Sequence, residues 1–302
     1  MPELPDVVVY IEALQARLLN QTLEGIRIAS PFVLRSVAPA PSALIGRKVV
    51  AIRRLGKQIV FVFDAEHFLV LHLMIAGRLQ WREPHASLTG KIGLAALDFS
   101  PGTLILTEAG SKKRASLHVV RGADSLAGFD RHALEVLDSS FDDFKAILLK
   151  ENHTLKRSLT DPRLFSGIGN AYSDEILHHA QLSPMKQTAR LSDQEIQQLW
   201  ESTRTVLSEW VSRLRAQTGS EFPSKVTAFR PEMAVHGRFG KPCPRCGAAV
   251  QRIVYAENEC NYCARCQTEG RLLADRAISR LLKQDWPRSL EEMEKHLDER
   301  RG

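Results

Sequence analysis

The sequence predicts an α+β protein of more than one compact unit, and three observations carry that prediction. An amphipathic helical pattern opens the chain, short β-rich runs at regular spacing extend from about residue 22 to 107, and helical periodicity returns beyond about residue 137. All five cysteines then fall between residues 243 and 266. At 302 residues the chain is about twice the usual single-domain length, which accommodates such a division.

The opening helix is read from Val7, Ile11, Leu14 and Leu18, with Asp6 near its N-terminus. The β-rich runs are Val49–Leu55, Gln58–Phe63, Phe68–Leu73, Arg78–Trp81, Ile92–Phe99 and Thr103–Thr107. Turn formers such as Gly56, Asp64-Ala65-Glu66, Gly90 and Ser100-Pro101-Gly102 separate them, the texture of an antiparallel sandwich or barrel. Helices are expected over Phe141–Lys150, around Leu155–Leu159, over Ala171–Ala180 and from Ser192 to about Arg215. The last keeps Ile196, Leu199, Val206, Leu207 and Leu214 on one face, as a core helix does. Residues 217–229 read as a loop, and 271–302 as two short helices, the second opened by Pro287 and a capping box of Ser289 and Glu292.

Composition narrows the class. With 44% hydrophobic and 25% charged residues and no apolar run near the roughly 18 residues of a membrane span, neither an integral membrane protein nor a disordered chain is expected. Met1-Pro2-Glu3-Leu4-Pro5-Asp6 lacks the basic and apolar stretches of an export signal, so a cytoplasmic protein is the expectation. A net charge of +6 suits a polyanionic partner, although many ordinary enzymes share it, and no segment forms a basic tail.

The cysteines form two knuckles, Cys243-Pro-Arg-Cys246 and Cys263-Ala-Arg-Cys266, with a β-hairpin expected between them. Four thiolates so spaced suit one structural zinc. Cys260 is an alternative ligand to Cys263, but the two intact pairs favour its being left out. A closed four-sulfur site has no open position for water, so it supports a surface and does no chemistry.

Two further features stand out. In Ser166-Gly167-Ile168-Gly169-Asn170-Ala171-Tyr172, two glycines make a tight turn and Asn170 is placed to cap the next helix, an arrangement suited to a phosphate but also to a plain connection. Lys156 and Arg157 lie just upstream. At the chain start, removal of Met1 exposes the secondary amine of Pro2, which is nucleophilic near neutral pH, with Glu3 beside it to move a proton.

Taken together and in order, Met-Pro-Glu-Leu-Pro-Asp, Lys57 in a hairpin, Gly-Ile-Gly-Asn-Ala-Tyr and the four-Cys segment resemble the formamidopyrimidine-DNA glycosylase and endonuclease VIII family of base-excision repair enzymes. The resemblance runs from Pro2 to about Gln267. It implies an N-terminal β-sandwich catalytic domain (1–136), a helical DNA-binding domain with a helix–two-turn–helix motif (137–235), a β-hairpin zinc finger (236–270) and a helical extension (271–302). It further implies a monomer that holds one structural zinc and takes damaged or abasic double-stranded DNA into the cleft between its domains.

The resemblance also implies roles. Pro2 would attack C1′ of the damaged nucleotide, Glu3 would act as general acid/base, Asp6, a Glu in the family pattern, would belong to the same catalytic group, and strand cleavage would follow by β,δ-elimination. Lys57, Lys156 and Asn170 would hold phosphates of an opened duplex. The chain departs from the family pattern where a wedging Phe and a base-reading Arg are expected, since the stretch after Glu108 carries Lys112, Lys113 and Arg114 instead. A void-filling Met aligns with Ile75, Met74 lying one place earlier, and an Arg of the zinc hairpin aligns with Asn258. A non-catalytic paralogue that binds damaged DNA is the alternative expectation.

Overall fold

In the computed structural model the chain enters α1 (Leu4–Leu18) directly after its first three residues, and the expected stripe of Val7, Ile11, Leu14 and Leu18 is buried. The structure describes every residue except 89, 91, 225, 256–257, 275–286 and 300–302. Two compact units divide it, Met1–Ala133 with Glu209–Ala228, and Leu134–Ser208 with Phe229–Gly302. The linear division expected from sequence does not provide for residues 209–228 joining the first unit. Their side chains give the reason. Phe222 lies 5.8 Å from the Tyr10 ring and 5.6 Å from the Arg17 guanidinium, Val226 is buried in the core, and Arg215 pairs with Glu12.

The first unit holds two four-stranded antiparallel sheets. One is ordered β2-β3-β4-β8, formed by Val49–Leu55, Gln58–Phe63, His67–His72 and Ser116–Arg121. The other is ordered β1-β6-β7-β5, formed by Leu23–Ile28, Gly93–Phe99, Gly102–Glu108 and Gly77–Arg82. Ile59, Phe61, Leu69 and Leu71 of the first sheet share a core with Leu79, Leu97, Leu104 and Leu106 of the second and with α1, which is the expected sandwich. Alternation assigns the opposite side chains Val60, Phe68 and Val70 to a smaller cluster with Leu126 of α2 (Ala123–Ala127).

Two strands escaped the pattern reading. β1, Leu-Glu-Gly-Ile-Arg-Ile, breaks its alternation with a glycine and two charges, yet Arg27 is held across to Asp98 of β6 by two 2.7 Å bonds. β8 follows a loop of charged residues and pairs along the whole of β4.

The second unit is helical. α3 (Phe141–Leu149) is capped by Ser140, which accepts the Asp143 N–H, and α4 (Leu155–Thr160) by Thr154. α5 spans Asn170–His179. α6 (Asp193–Thr218), whose residues from Glu209 on belong to the first unit, starts from a reciprocal box in which Ser192 Oγ accepts the Glu195 N–H and the Glu195 carboxylate accepts that of Ser192. Among the described residues no helix is long and apolar enough to cross a membrane.

The cysteine segment contains the expected hairpin, β9 (Gln251–Tyr255) and β10 (Asn258–Tyr262), followed by α7 (Ala264–Thr268). The C-terminal extension closes on it. Leu272 donates its N–H to the Arg288 carbonyl, Leu290 to that of Gly270, and Leu273 to the Tyr262 hydroxyl. α8 (Leu290–Glu299) is the second expected helix, with Ser289 accepting the Glu292 N–H; the Glu292 carboxylate, however, takes the N–H of Arg288 and not that of Ser289. The first expected helix lies largely outside the described residues.

Candidate functional site

Two groups of residues stand out, one in each unit. In the first, Pro2 is buried immediately before α1, and Glu3 and Asp6 are 2% and 3% exposed. Glu3 stands at the helix N-cap and donates its N–H to Asp6 Oδ2 at 3.0 Å, so the first turn of the helix fixes the backbone that carries Pro2 and Glu3. The Met1 α-amino group is held below its ordinary value, first by burial; Glu3 and Asp6 oppose that shift, while Arg78 and Lys57 reinforce it. Two carboxylates and two cations therefore surround the start of the chain.

Lys57 comes from the two-residue turn of the β2–β3 hairpin, where Gly56 takes φ 61°. Its charge also acts on His72 of β4, which burial first, and then Lys57, Arg131 and His118, push down to about 4. Arg78 was not singled out by sequence, because an Arg on a strand reads as a solvated face. Its guanidinium donates to the Val226 carbonyl at 2.5 Å and the Gly77 carbonyl at 2.6 Å, which draws the loop expected at 217–229 to the same place.

The β4–β5 turn puts Met74 at φ 52° and leaves Ile75 52% exposed. Gly77 closes it, since a Cβ there would lie 2.2 Å from the Leu73 carbonyl oxygen. The neighbouring loop is shaped by Glu108, which is 1% exposed and accepts the N–H groups of Arg114 and Ala115 at 2.8 and 3.1 Å. Lys112 and Arg114 are exposed. Lys113 differs from them, its ammonium donating to the Glu108 carbonyl.

In the second unit the glycine turn precedes α5, with Gly167 at φ 78°. Gly169 is the N-cap and Asn170 the first helical residue, so the cap expected of Asn170 is displaced by one position. The expectation that Lys156 holds a phosphate is also corrected. It is 3% exposed, and its ammonium donates to the Asn170 carbonyl, Ser173 Oγ and Asp174 Oδ1 at 2.7, 2.8 and 2.5 Å. An ammonium has three donors, and three oxygens take them.

Asp174 collects further partners, accepting from His236 Nδ1 at 2.8 Å and the Asn261 N–H at 3.1 Å. Burial opposes its ionisation, but Lys156 and His236 hold its carboxyl below the usual range. Glu175 beside it accepts the N–H groups of Ala234, Val235 and His236 at 2.7 to 2.9 Å, while burial pushes its carboxyl up. Neither acid was anticipated, since adjacent Asp and Glu on a helix usually mark its wet face.

The four sulfurs of Cys243, Cys246, Cys263 and Cys266 lie within 4.8 Å of one another, with Cys243–Cys266 at 3.9 Å and Cys246–Cys263 at 3.4 Å. Zn–S bonds of about 2.3 Å in a tetrahedron give sulfur separations of about 3.8 Å, so the set fits one structural zinc. Four thiolates this close repel one another, so a cation is needed to hold them together. His178 Nε2 meets Cys243 Sγ at 3.2 Å, the outer support that zinc ligands commonly receive. Cys260 is buried on β10 outside the cluster, and its thiol is pushed up by burial. The backbone of Asn258 pairs with Tyr255 at the tip of the hairpin, and its side chain lies outside the described atoms.

Residues 1–110 match the family model of the formamidopyrimidine-DNA glycosylase N-terminal domain, 133–221 that of the formamidopyrimidine-DNA glycosylase H2TH domain, and 240–268 that of the zinc finger found in FPG and IleRS. The chain is 31% identical to a formamidopyrimidine-DNA glycosylase of Heliobacterium modesticaldum, over 88% of this chain and all of the relative. It is similar to the crystal structure of Lactococcus lactis Fpg with abasic-site DNA, at a TM-score of 0.78 and 26% identity over 88% of this chain and 99% of that one. It is also similar to MutM in complex with carbocyclic 8-oxo-G containing DNA, at a TM-score of 0.78 and 26% identity over 88% and 100%.

Proposed function

The chain belongs to the formamidopyrimidine-DNA glycosylase family, and from that premise we propose that it is a base-excision repair enzyme that removes oxidised bases from duplex DNA and cuts the strand at the resulting abasic site. The observation that carries this reading is the buried start of the chain, with Glu3 braced by Asp6 and with Lys57 and Arg78 close enough to act on its amine.

In this mechanism Met1 has been removed and the Pro2 nitrogen attacks C1′. The N-glycosidic bond breaks and the base leaves with a proton. As the sugar opens, Glu3 gives a proton to O4′, and the nitrogen and C1′ become a cationic iminium. That cation draws electrons from C2′, so a C2′ proton is lost as the bond to the 3′ phosphate breaks. A second elimination releases the 5′ phosphate. Asp6 positions Glu3, and burial of the chain start, which lowers the α-amino group of Met1, favours the unprotonated form of an amine placed there.

Lys57 holds the phosphate beside the lesion, with Lys112 and Arg114 on neighbouring phosphates and Ile75 and Met74 in the space left by the displaced base. In the second unit Asn170 and Asn258 supply uncharged phosphate contacts, and the zinc hairpin presents the latter. The same zinc-bound finger in a single protomer serves each DNA encounter.

Borohydride reduction on a duplex with an abasic site tests the mechanism. The expected result is a covalent adduct on residue 2, found by peptide mass spectrometry and lost in Pro2→Gly. No adduct from Met1-processed protein would overturn it, and damage-specific binding that Pro2→Gly leaves unchanged would assign the chain to recognition without catalysis.

A further inference from the structure

We propose that Lys156 is a positioning residue that sets the DNA grip of the helix–turn and of the zinc hairpin together, acting through Asp174 and never touching DNA. This rests on the reading of the protein as a DNA glycosylase and extends it to how its second unit holds the duplex.

The geometry has two halves that meet on one carboxylate. Asp174 Oδ1 receives the Lys156 ammonium at 2.5 Å, and that ammonium also fixes the first turn of α5 through the Asn170 carbonyl at 2.7 Å and Ser173 Oγ at 2.8 Å. Asp174 Oδ2 receives His236 Nδ1 at 2.8 Å and both the main-chain and side-chain N–H groups of Asn261, at 3.1 and 3.4 Å. Asn261 lies on β10, three places after Asn258 at the hairpin tip and two before the zinc ligand Cys263. α4, the start of α5, the segment entering the zinc finger and the hairpin strand thus converge on a single side chain that is 1% exposed.

Glu175 doubles the attachment by gripping the main chain of residues 234–236. Buried charge of this kind is stable only while every member is paired. Without the ammonium, the buried Asp174 carboxyl loses the cation that offsets its desolvation, and it relaxes by releasing its other partners. Asn170 and Asn261 then loosen together, though they lie on different elements. A phosphate-gripping lysine has none of these properties, because its donors must be free to leave the protein.

Counterion release separates the two roles. A lysine on a phosphate contributes about 0.9 to the slope of log affinity against log salt, and its loss removes that increment. A positioning lysine weakens binding and leaves the slope alone. The experiment measures affinity of the zinc-loaded protein for a duplex carrying a tetrahydrofuran abasic analogue across a salt series, with hydrogen exchange followed in the 258–263 peptide. For Lys156→Gln the expected result is a loss on the order of tenfold, an unchanged slope and faster exchange in the hairpin. Lys156→Arg should fail to rescue, because a planar fork cannot aim at three oxygens placed around an ammonium.

A slope lowered by about one phosphate in Lys156→Gln, with affinity restored in Lys156→Arg, would overturn the proposal. If the lysine variants do not fold, the isosteric Asp174→Asn carries the test: weaker binding at constant slope with faster hairpin exchange supports it, and unchanged affinity and exchange overturn it. If wild-type protein fails to prefer the abasic duplex over an intact one, the glycosylase reading fails instead, while the exchange measurement still reports on the coupling.

Discussion

Asp6 Oδ2 accepts the main-chain N–H of Glu3 at 3.0 Å, so the acid proposed to protonate the opening sugar is oriented by the first turn of the helix behind it. The Glu3 carbonyl in turn accepts the Val7 N–H at 2.9 Å, so the same helical turn holds its backbone from both sides. Replacing Asp6 with Ala removes this cap, at a cost of about 1 kcal/mol in stability. The larger effect falls on the reaction. Single-turnover trapping on an abasic duplex should slow by about tenfold or more while affinity for the tetrahydrofuran analogue changes little, because the lost interaction orients a reacting group without holding DNA. Equal losses in rate and affinity would assign Asp6 to folding alone.

His72 gives a prediction in pH. Its folded value is pushed down to about 4 by burial first and then by Lys57, Arg131 and His118, against an ordinary value of 6.5. Between those values the unfolded chain binds a proton that the folded chain refuses, so this residue's contribution favours folding at higher pH. Stability should therefore fall as pH drops from about 6.5 toward about 4, and His72→Gln should flatten that part of the curve. Urea midpoints of wild type and variant at pH values above and within this window make the comparison, and parallel curves would show that His72 exchanges its proton freely.

The zinc site depends on more than its four sulfurs. His178 on α5 directs Nε2 at Cys243 Sγ from 3.2 Å, which ties the ligand knuckle to the helix that follows the glycine turn. His178→Ala should lower zinc affinity by about 10- to 100-fold, read in competition with a chromophoric chelator. Duplex affinity at saturating zinc should be much less affected.

What could be read from the sequence was what is local in it. Val49–Leu55 and Gln58–Phe63 were legible to the residue because both are β-rich runs and a two-residue turn at Gly56 joins them. The zinc ligands were legible because each knuckle brings two sulfurs together over four residues. Lys156 was not, since its neighbours in sequence do not reveal that three oxygens enclose it. Asp174 and Glu175 read as surface charges because their partners, His236, Asn261 and the 234–236 main chain, arrive 59 to 87 residues later. The strand β1 hid for a related reason, its Arg27 being neutralised by Asp98, 71 residues away. Arg78 became interesting only when Val226 folded onto it.

The C-terminal extension gives the last prediction. Leu290 is 3% exposed and shares a cluster with Leu272, Tyr262, Val250 and Ile253, so α8 completes the core on which the zinc hairpin rests. Main-chain bonds from Leu272 to Arg288 and from Leu290 to Gly270 lace the extension to the end of α7. A small metal module with few apolar residues of its own gains more from such a cover than a large domain would. Leu290→Ala should cost about 2–4 kcal/mol in urea unfolding of the zinc-loaded protein. Because the cavity opens beneath β9 and β10, zinc release to a chelator should accelerate as well, while trapping through residue 2 on saturating abasic duplex keeps its rate. Unfolding free energy and zinc release that both match wild type would show that the extension lies on the finger without supporting it.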